Sequence, residues 1–151
     1  MWPCLLLALA LLGAVPASHP GCQAVPVPQR HCREVPVGTG ECLVPARAIP
    51  QRYCQDVYRG QLASVHSAAR NQELQKLART YTIVAPWIGA VTSRRAGQWE
   101  SRWEDSSPWN YANWAPVHPS HIVTTCTTLS TRDGLWRSRF CFQLRPFICQ
   151  Y

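Results

Sequence analysis

From Trp87 onward the chain carries six of its seven tryptophans and three of its eight cysteines. Large aromatic side chains need a core, and cysteines in an oxidising compartment pair. The order of the short strings narrows the fold further: Trp87-Ile88-Gly89-Ala90, then Trp103-Glu104-Asp105, then Asn110-Tyr111-Ala112-Asn113-Trp114. Cys126, Cys141 and Cys149 follow, the last inside Arg145-Pro146-Phe147-Ile148-Cys149-Gln150-Tyr151.

A length of 151 residues bounds the chain to one principal domain. Leu5 to Val15 is an uncharged apolar run, and Val15-Pro16-Ala17 places small residues where a signal peptidase reads. Residues 1–17 are therefore predicted to be a signal peptide cleaved after Ala17, residues 18–31 a proline-rich leader, and residues 32–151 the folded domain. The apolar run falls short of the ~20 residues that span a bilayer. Secretion, or storage in a secretory granule, is the expected destination. Removal of Cys4 with the signal leaves Cys22, Cys32, Cys42, Cys54, Cys126, Cys141 and Cys149, an odd number that spares one thiol in the monomer. Spacing does not choose the partners, because six cysteines already allow fifteen connectivities.

Fifteen basic residues face eight acidic ones, and the signal carries none of either, so the net charge of +7 stays with the mature chain. Fourteen of the fifteen are arginine, Lys76 being the exception. Lysine would serve solubility equally well, whereas the guanidinium fork matches sulfate, phosphate and carboxylate. The skew points to a polyanion partner; the competing reading is compositional bias of the gene.

Gly38-Thr39-Gly40 marks a hairpin within Arg33 to Val44. Pro50 opens a helix that Gly60 ends, and Gln61 to His66 reads as a strand. Ala68 to Thr80 is the second helix, with Leu74, Leu77 and Ala78 on one face. Trp87 to Val91 reads as a buried strand, Ser93 to Gly97 as a polar turn and Trp99 to Trp114 as a long loop. Ile122 to Leu129, Gly134 to Trp136 and Arg139 to Gln143 read as strands, with Phe147 to Cys149 as the closing one. Helices followed by strands predict an α+β fold.

The ordered tryptophan, glycine and cysteine strings resemble the C-type lectin-like domain superfamily. Within it, Tyr58-Arg59-Gly60-Gln61-Leu62-Ala63-Ser64-Val65-His66, Trp103 to Ala112 and Leu144 to Cys149 look most like the family of eosinophil granule major basic protein, or bone marrow proteoglycan. The resemblance implies the long form of the fold: two helices, small antiparallel sheets and a long ligand loop, stapled by disulfides. It implies the pairs Cys32–Cys42, Cys54–Cys149 and Cys126–Cys141, with Cys22 left over. Cys22 either bridges to another chain or is capped by a small thiol. The resemblance also makes Trp87, Trp103 and Trp114 core residues and leaves Trp99 and Trp109 freer to be exposed. The family's precursors carry a long acidic propiece, and nothing of that kind precedes the domain in this sequence.

Sugar-binding C-type lectins hold calcium with a Glu-Pro-Asn or Gln-Pro-Asp triplet and a later Trp-Asn-Asp. The matching positions here read His118-Pro119-Ser120 and Trp136-Arg137-Ser138. Calcium takes six to eight oxygen ligands, and these residues supply no carboxylate. No metal and no cofactor are expected. Arg132, Arg137 and Arg139 are predicted around the lost site, with Arg94, Arg95 and Arg102 on the loop beside it. Together the six form a candidate surface for sulfated glycosaminoglycans, other anionic glycans or anionic membranes, opposed by the reading in which acidic neighbours neutralise them. His118 and His121 are spaced like a zinc pair but lack a third ligand and read as loop histidines; His66 reads as structural. No nucleophile motif, catalytic carboxylate pair or phosphate loop occurs, which excludes an enzyme, and nucleic acid is not the expected partner. The expected function is innate defence by a cationic, calcium-independent glycan binder. The alternatives are an eggshell-type matrix protein and a carbohydrate lectin with an altered site.

Overall fold

A computed structural model describes residues 32–35, 39–44, 46 and 49–151. The expected signal peptide, the expected leader and Cys22 lie outside the described residues. Strands β1 (Cys32–Val35), β2 (Thr39–Val44) and β3 (Gln61–Leu62), and helices α1 (Pro50–Tyr58) and α2 (Ala68–Tyr81), precede strands β4 (Trp87–Arg95), β5 (Gln98–Trp103), β6 (Thr125–Leu129), β7 (Trp136–Arg139) and β8 (Phe147–Gln150). The order is the predicted α+β one. The closing strand β8 pairs antiparallel with β2 and β3, while β4 pairs antiparallel with β5 and β6, and β6 with β7. One parallel pairing, Trp87 with Phe147, joins these two antiparallel parts into a single sheet.

Side chains alternate across the central strands, and each face finds a helix. Val44, Phe147 and Cys149 pack with Cys54 of α1 and Trp87 in one cluster. Leu43 and Ile148 turn the other way, toward Leu74, Leu77 and Ala78 of α2 and the Trp103 and Trp136 rings. Glu41 is fully buried and forms an ion pair with Arg70 of α2. Removing one member of such a buried pair costs about 3–5 kcal/mol, because the other charge stays buried.

Helix α1 starts at Pro50, whose missing N–H is no loss in a first turn. It ends with Arg59 in the left-handed region. Gly60 then passes against the Gln150 carbonyl, where a Cβ would collide with backbone. The Cys54–Cys149 disulfide locks α1 to β8 across 95 residues, and Cys126–Cys141 ties β6 to the segment after β7. A loop near 100 residues is worth about 4–5 kcal/mol in the chain-entropy model. Cys42, which faces Cys32 in the β1–β2 register, is also disulfide-bonded. Ser67 caps α2 by accepting the Arg70 N–H.

Several strand boundaries differ from the sequence reading. The strand expected over Gln61 to His66 stops at Leu62: Ala63 N–H still donates to Ile148 O of the pairing strand, but the next N–H, of Ser64, leaves the ladder for a side chain, Gln150 Oε1. Ser93 to Arg95 continue β4, and only Ala96 and Gly97 turn, both with positive φ, as a two-residue hairpin requires. The front of the expected loop, Trp99 to Trp103, therefore belongs to strand β5. Strand β7 is one piece from Trp136 to Arg139, and Phe140 to Gln143 form a turn closed by Gln143 N–H on Phe140 O.

The long loop between β5 and β6 is stitched down at both ends. At its start, burial opposes ionisation of Asp105, but hydrogen bonds from Ser107, Ser64 and Gln150 win and hold the carboxyl below the usual range. Farther on, Trp136 N–H donates to Asn113 O and Ala115 N–H to Trp136 O. The Trp136 ring is wholly buried, and its Nε1–H donates to Asn71 Oδ1 at 2.7 Å. Asn71 Nδ2 donates in turn to Gly134 O at 2.9 Å. After the cis His118–Pro119 peptide, Ser120 N–H donates to Ser138 Oγ at 2.9 Å. His118 Nδ1 accepts the Ser138 N–H at 3.2 Å, so the ring is neutral in this contact. Burial, with the positive charges of Arg139 and Arg137, holds its pKa below the ordinary histidine range.

Two outcomes follow from these contacts. Asn71→Ala, which strands a buried indole N–H, should cost about 1–3 kcal/mol in denaturant unfolding. His118 gains protons more readily unfolded than folded, so its share of stability is complete above the unfolded pKa and falls as pH drops through and below it. Thermal melts between pH 7.5 and 5 should show this loss, and His118→Gln should flatten that part of the profile.

Candidate functional site

The six arginines singled out in the sequence come from two hairpins. Arg94, Arg95 and Arg102 belong to β4–β5 rather than to a loop. Arg94 Nε donates to Gly97 O at 3.1 Å, Arg95 pairs with Glu100 at 3.3 Å, and Arg102 Nη1 donates to Ser93 Oγ at 3.1 Å. Arg95 and Arg102 line a cleft with Gln51, Trp103, Glu104 and Ser107. Burial raises the Glu104 pKa, against the lowering by Arg102.

Arg132, Arg137 and Arg139 line a different cleft, formed by the β6–β7 hairpin and the segment between α2 and β4. The same wall contains Arg145, which the sequence reading passed over because it belongs to the closing Leu144-Arg145-Pro146-Phe147 string. Its Nε donates to Gln143 Oε1 at 3.0 Å, its Nη1 to Ala85 O at 3.4 Å, and its guanidinium stands 5.8 Å from the centre of the Trp87 ring. Arg137 is held by both oxygens of Asp133, at 3.1 and 2.8 Å. The side-chain hydrogen bond from Arg137 outweighs partial burial and keeps the Asp133 carboxyl far below the usual range.

At the positions that resemble the calcium triplets of sugar-binding lectins, the donors do not suit calcium. Ser138 Oγ, Ser120 N–H and the neutral His118 ring are bonded to one another, and neither triplet contains a carboxylate. Trp136 and Ser138 are the buried residues of β7, whereas Arg137 and Arg139 alternate to its other face. Among the described residues no three His, Cys, Asp or Glu side chains converge as metal ligands. His121 stacks on Trp99, with ring centres 5.6 Å apart and planes within 8°.

Ser64, His66 and Asn110 imitate a nucleophilic relay, with His66 Nε2 3.2 Å from Ser64 Oγ and Nδ1 2.7 Å from Asn110 Oδ1. The hydroxyl is spent, however: it donates to Asp105 Oδ2 at 2.7 Å and accepts from Gln150 Nε2 at 3.2 Å. Ser64 is also buried. This is a structural anchor, in keeping with a binding domain.

The tryptophans divide by packing. Trp87 and Trp103 are buried, and Trp114 is partly buried against the core. Trp109 lies in the same cluster, its ring centre 5.0 Å from that of Trp103 and 6.0 Å from that of Trp136.

The family model described as Lectin C-type domain matches residues 48–151. Proteoglycan 3 of Mus musculus is 38% identical over 133 residues, covering 87% of this chain and 54% of its own length. Eosinophil granule major basic protein 1 of Cavia porcellus is 37% identical over 103 residues, covering 67% of this chain and 44% of its own. The chain thus spans about half the length of these curated relatives. Human lithostathine superposes with a TM-score of 0.69 at 20% identity, covering 92% of this chain and 99% of the other, which bears on the fold alone. With a family match over two thirds of its length and the fold to go with it, the chain belongs to the C-type lectin domain family.

Proposed function

We propose that this protein is a secreted or granule-stored, calcium-independent binder of anionic glycans of the heparan sulfate type, acting in innate defence. The observation that carries this reading is the distribution of charge on the β4–β5 and β6–β7 hairpins. They carry six arginines, five of which line two clefts, while the position that would hold calcium in a sugar-binding lectin is filled by serine and histidine bonded to one another. Arg94, Arg95, Arg102, Arg132, Arg137 and Arg139 are the proposed contacts. Guanidinium forks bind sulfate and carboxylate without a metal, and such binding weakens as salt screens it. Anionic membrane surfaces are a second target of the same chemistry. The granule assignment draws on the similarity to a guinea-pig protein named for the eosinophil granule. Among the described residues no helix is long and apolar enough to cross a membrane.

The test is retention of the secreted chain on immobilised heparin across a salt gradient, with calcium and with EDTA. Elution should need well above physiological salt and be the same in both. Changing Arg94, Arg95 and Arg102 together to Gln should lower the eluting salt. Binding abolished by EDTA, or no retention at low salt, would reject the reading.

A further inference from the structure

The cleft beneath the β6–β7 hairpin has a volume of about 400 Å³, within the range of sites for small molecules. Four arginines reach it, with Thr128, Ser130 and Thr131 in the same wall. Its single carboxylate, Asp133, has both oxygens on Arg137. Among the described residues Arg132, Arg139 and Arg145 have no acidic partner within ion-pair distance. The Arg145 side chain is held by Gln143, by the Ala85 carbonyl and over Trp87, so its guanidinium is set before any ligand arrives. Preset donors cost little entropy on binding. Burial, and after it the positive charge of Arg139, lowers the pKa of Arg145. Both guanidiniums line the same cleft, so their positive charges oppose one another, and an anion between them turns that repulsion into two attractions. The cleft is also separate from the sugar position of the lectin fold. Arg137 and Arg139 occupy one face of β7, and Ser138, which holds His118 and Ser120, the other.

We infer that this cleft is a discrete binding site for one tetrahedral oxyanion, sulfate or phosphate carried as a monoester, gripped by Arg139 and Arg145 with Arg132 at its rim. Sulfate and phosphate esters share the geometry that a guanidinium fork reads, so the site fits either. It deepens the anionic-glycan reading and rests on it for the identity of the natural ligand.

Titration calorimetry of the secreted chain with glucose 6-sulfate and glucose 6-phosphate tests this, at an ionic strength held constant with chloride. One ester or both should bind with a stoichiometry of one, and the stronger identifies the source. Arg139→Gln should weaken binding at least tenfold. Arg145→Lys keeps the charge and loses the fork, and should weaken it several-fold while circular dichroism shows the fold intact. Arg52→Gln, on helix α1 and paired there with Asp56, should bind like wild type. Saturation by neither ester, or an Arg139→Gln variant that binds like wild type, overturns the site. Heparin retention without ester binding would remove the cleft and leave the glycan reading standing. Ester binding without heparin retention would do the reverse.

Discussion

The wholly buried indole of Trp136 is the point on which the rest of this structure hangs. An indole of that size excludes water only if other elements close around it, and its N–H needs an acceptor in the same place. Asn71 of α2 supplies the acceptor, while Trp103, Trp114 and Tyr111 meet the ring edge to face. Such aromatic pairs add about 0.5–1.5 kcal/mol each beyond the area they bury. The Trp136 backbone bonds both Asn113 and Ala115, so one residue fixes the second helix, the β6–β7 hairpin and the middle of the long loop.

That arrangement decides where charge can go. With Trp136 and Ser138 turned inward, alternation along β7 turns Arg137 and Arg139 to the opposite face, toward the segment before β4. Charges that must be buried are paired, as Glu41 is with Arg70. Arg137 is partly covered and takes Asp133. Among the described residues the other arginines of the cleft have no acidic partner. The Ser64, Asp105 and Gln150 network shows the opposite economy, in which every polar atom of the set is spent on holding the start of the loop. The same fold thus has a satisfied polar anchor at one end of its loop and an unsatisfied basic cleft beside β7.

Much of the fold was legible in the strings of residues. Helix α2 runs where the Leu74, Leu77 and Ala78 stripe places it, and the closing strand pairs back with β2. Trp87 and Trp103 are core residues, as their motif positions implied. The errors cluster where a turn or a cross-strand bond overrides local pattern. The Ser93 to Gly97 run looks like a polar turn by composition, but two positive-φ residues suffice to reverse the chain and the rest stays in the ladder. Trp109 looked freer than it is, because a residue in a loop gives no sign of the rings that will meet it.

The sequence by itself determined the family, the α+β order, the basic surplus and the loss of calcium-type donors, since each depends on which residues are present and in what order. The tertiary structure alone decided which arginines share a space. Arg132, Arg137 and Arg139 converge with Arg145, while Arg95 and Arg102 line another cleft. It also decided which of them is neutralised, because Asp133 meets Arg137 and leaves Arg139 without an acidic partner among the described residues. The reason is that Coulomb energy depends on distance through space, and distance along the chain does not report it.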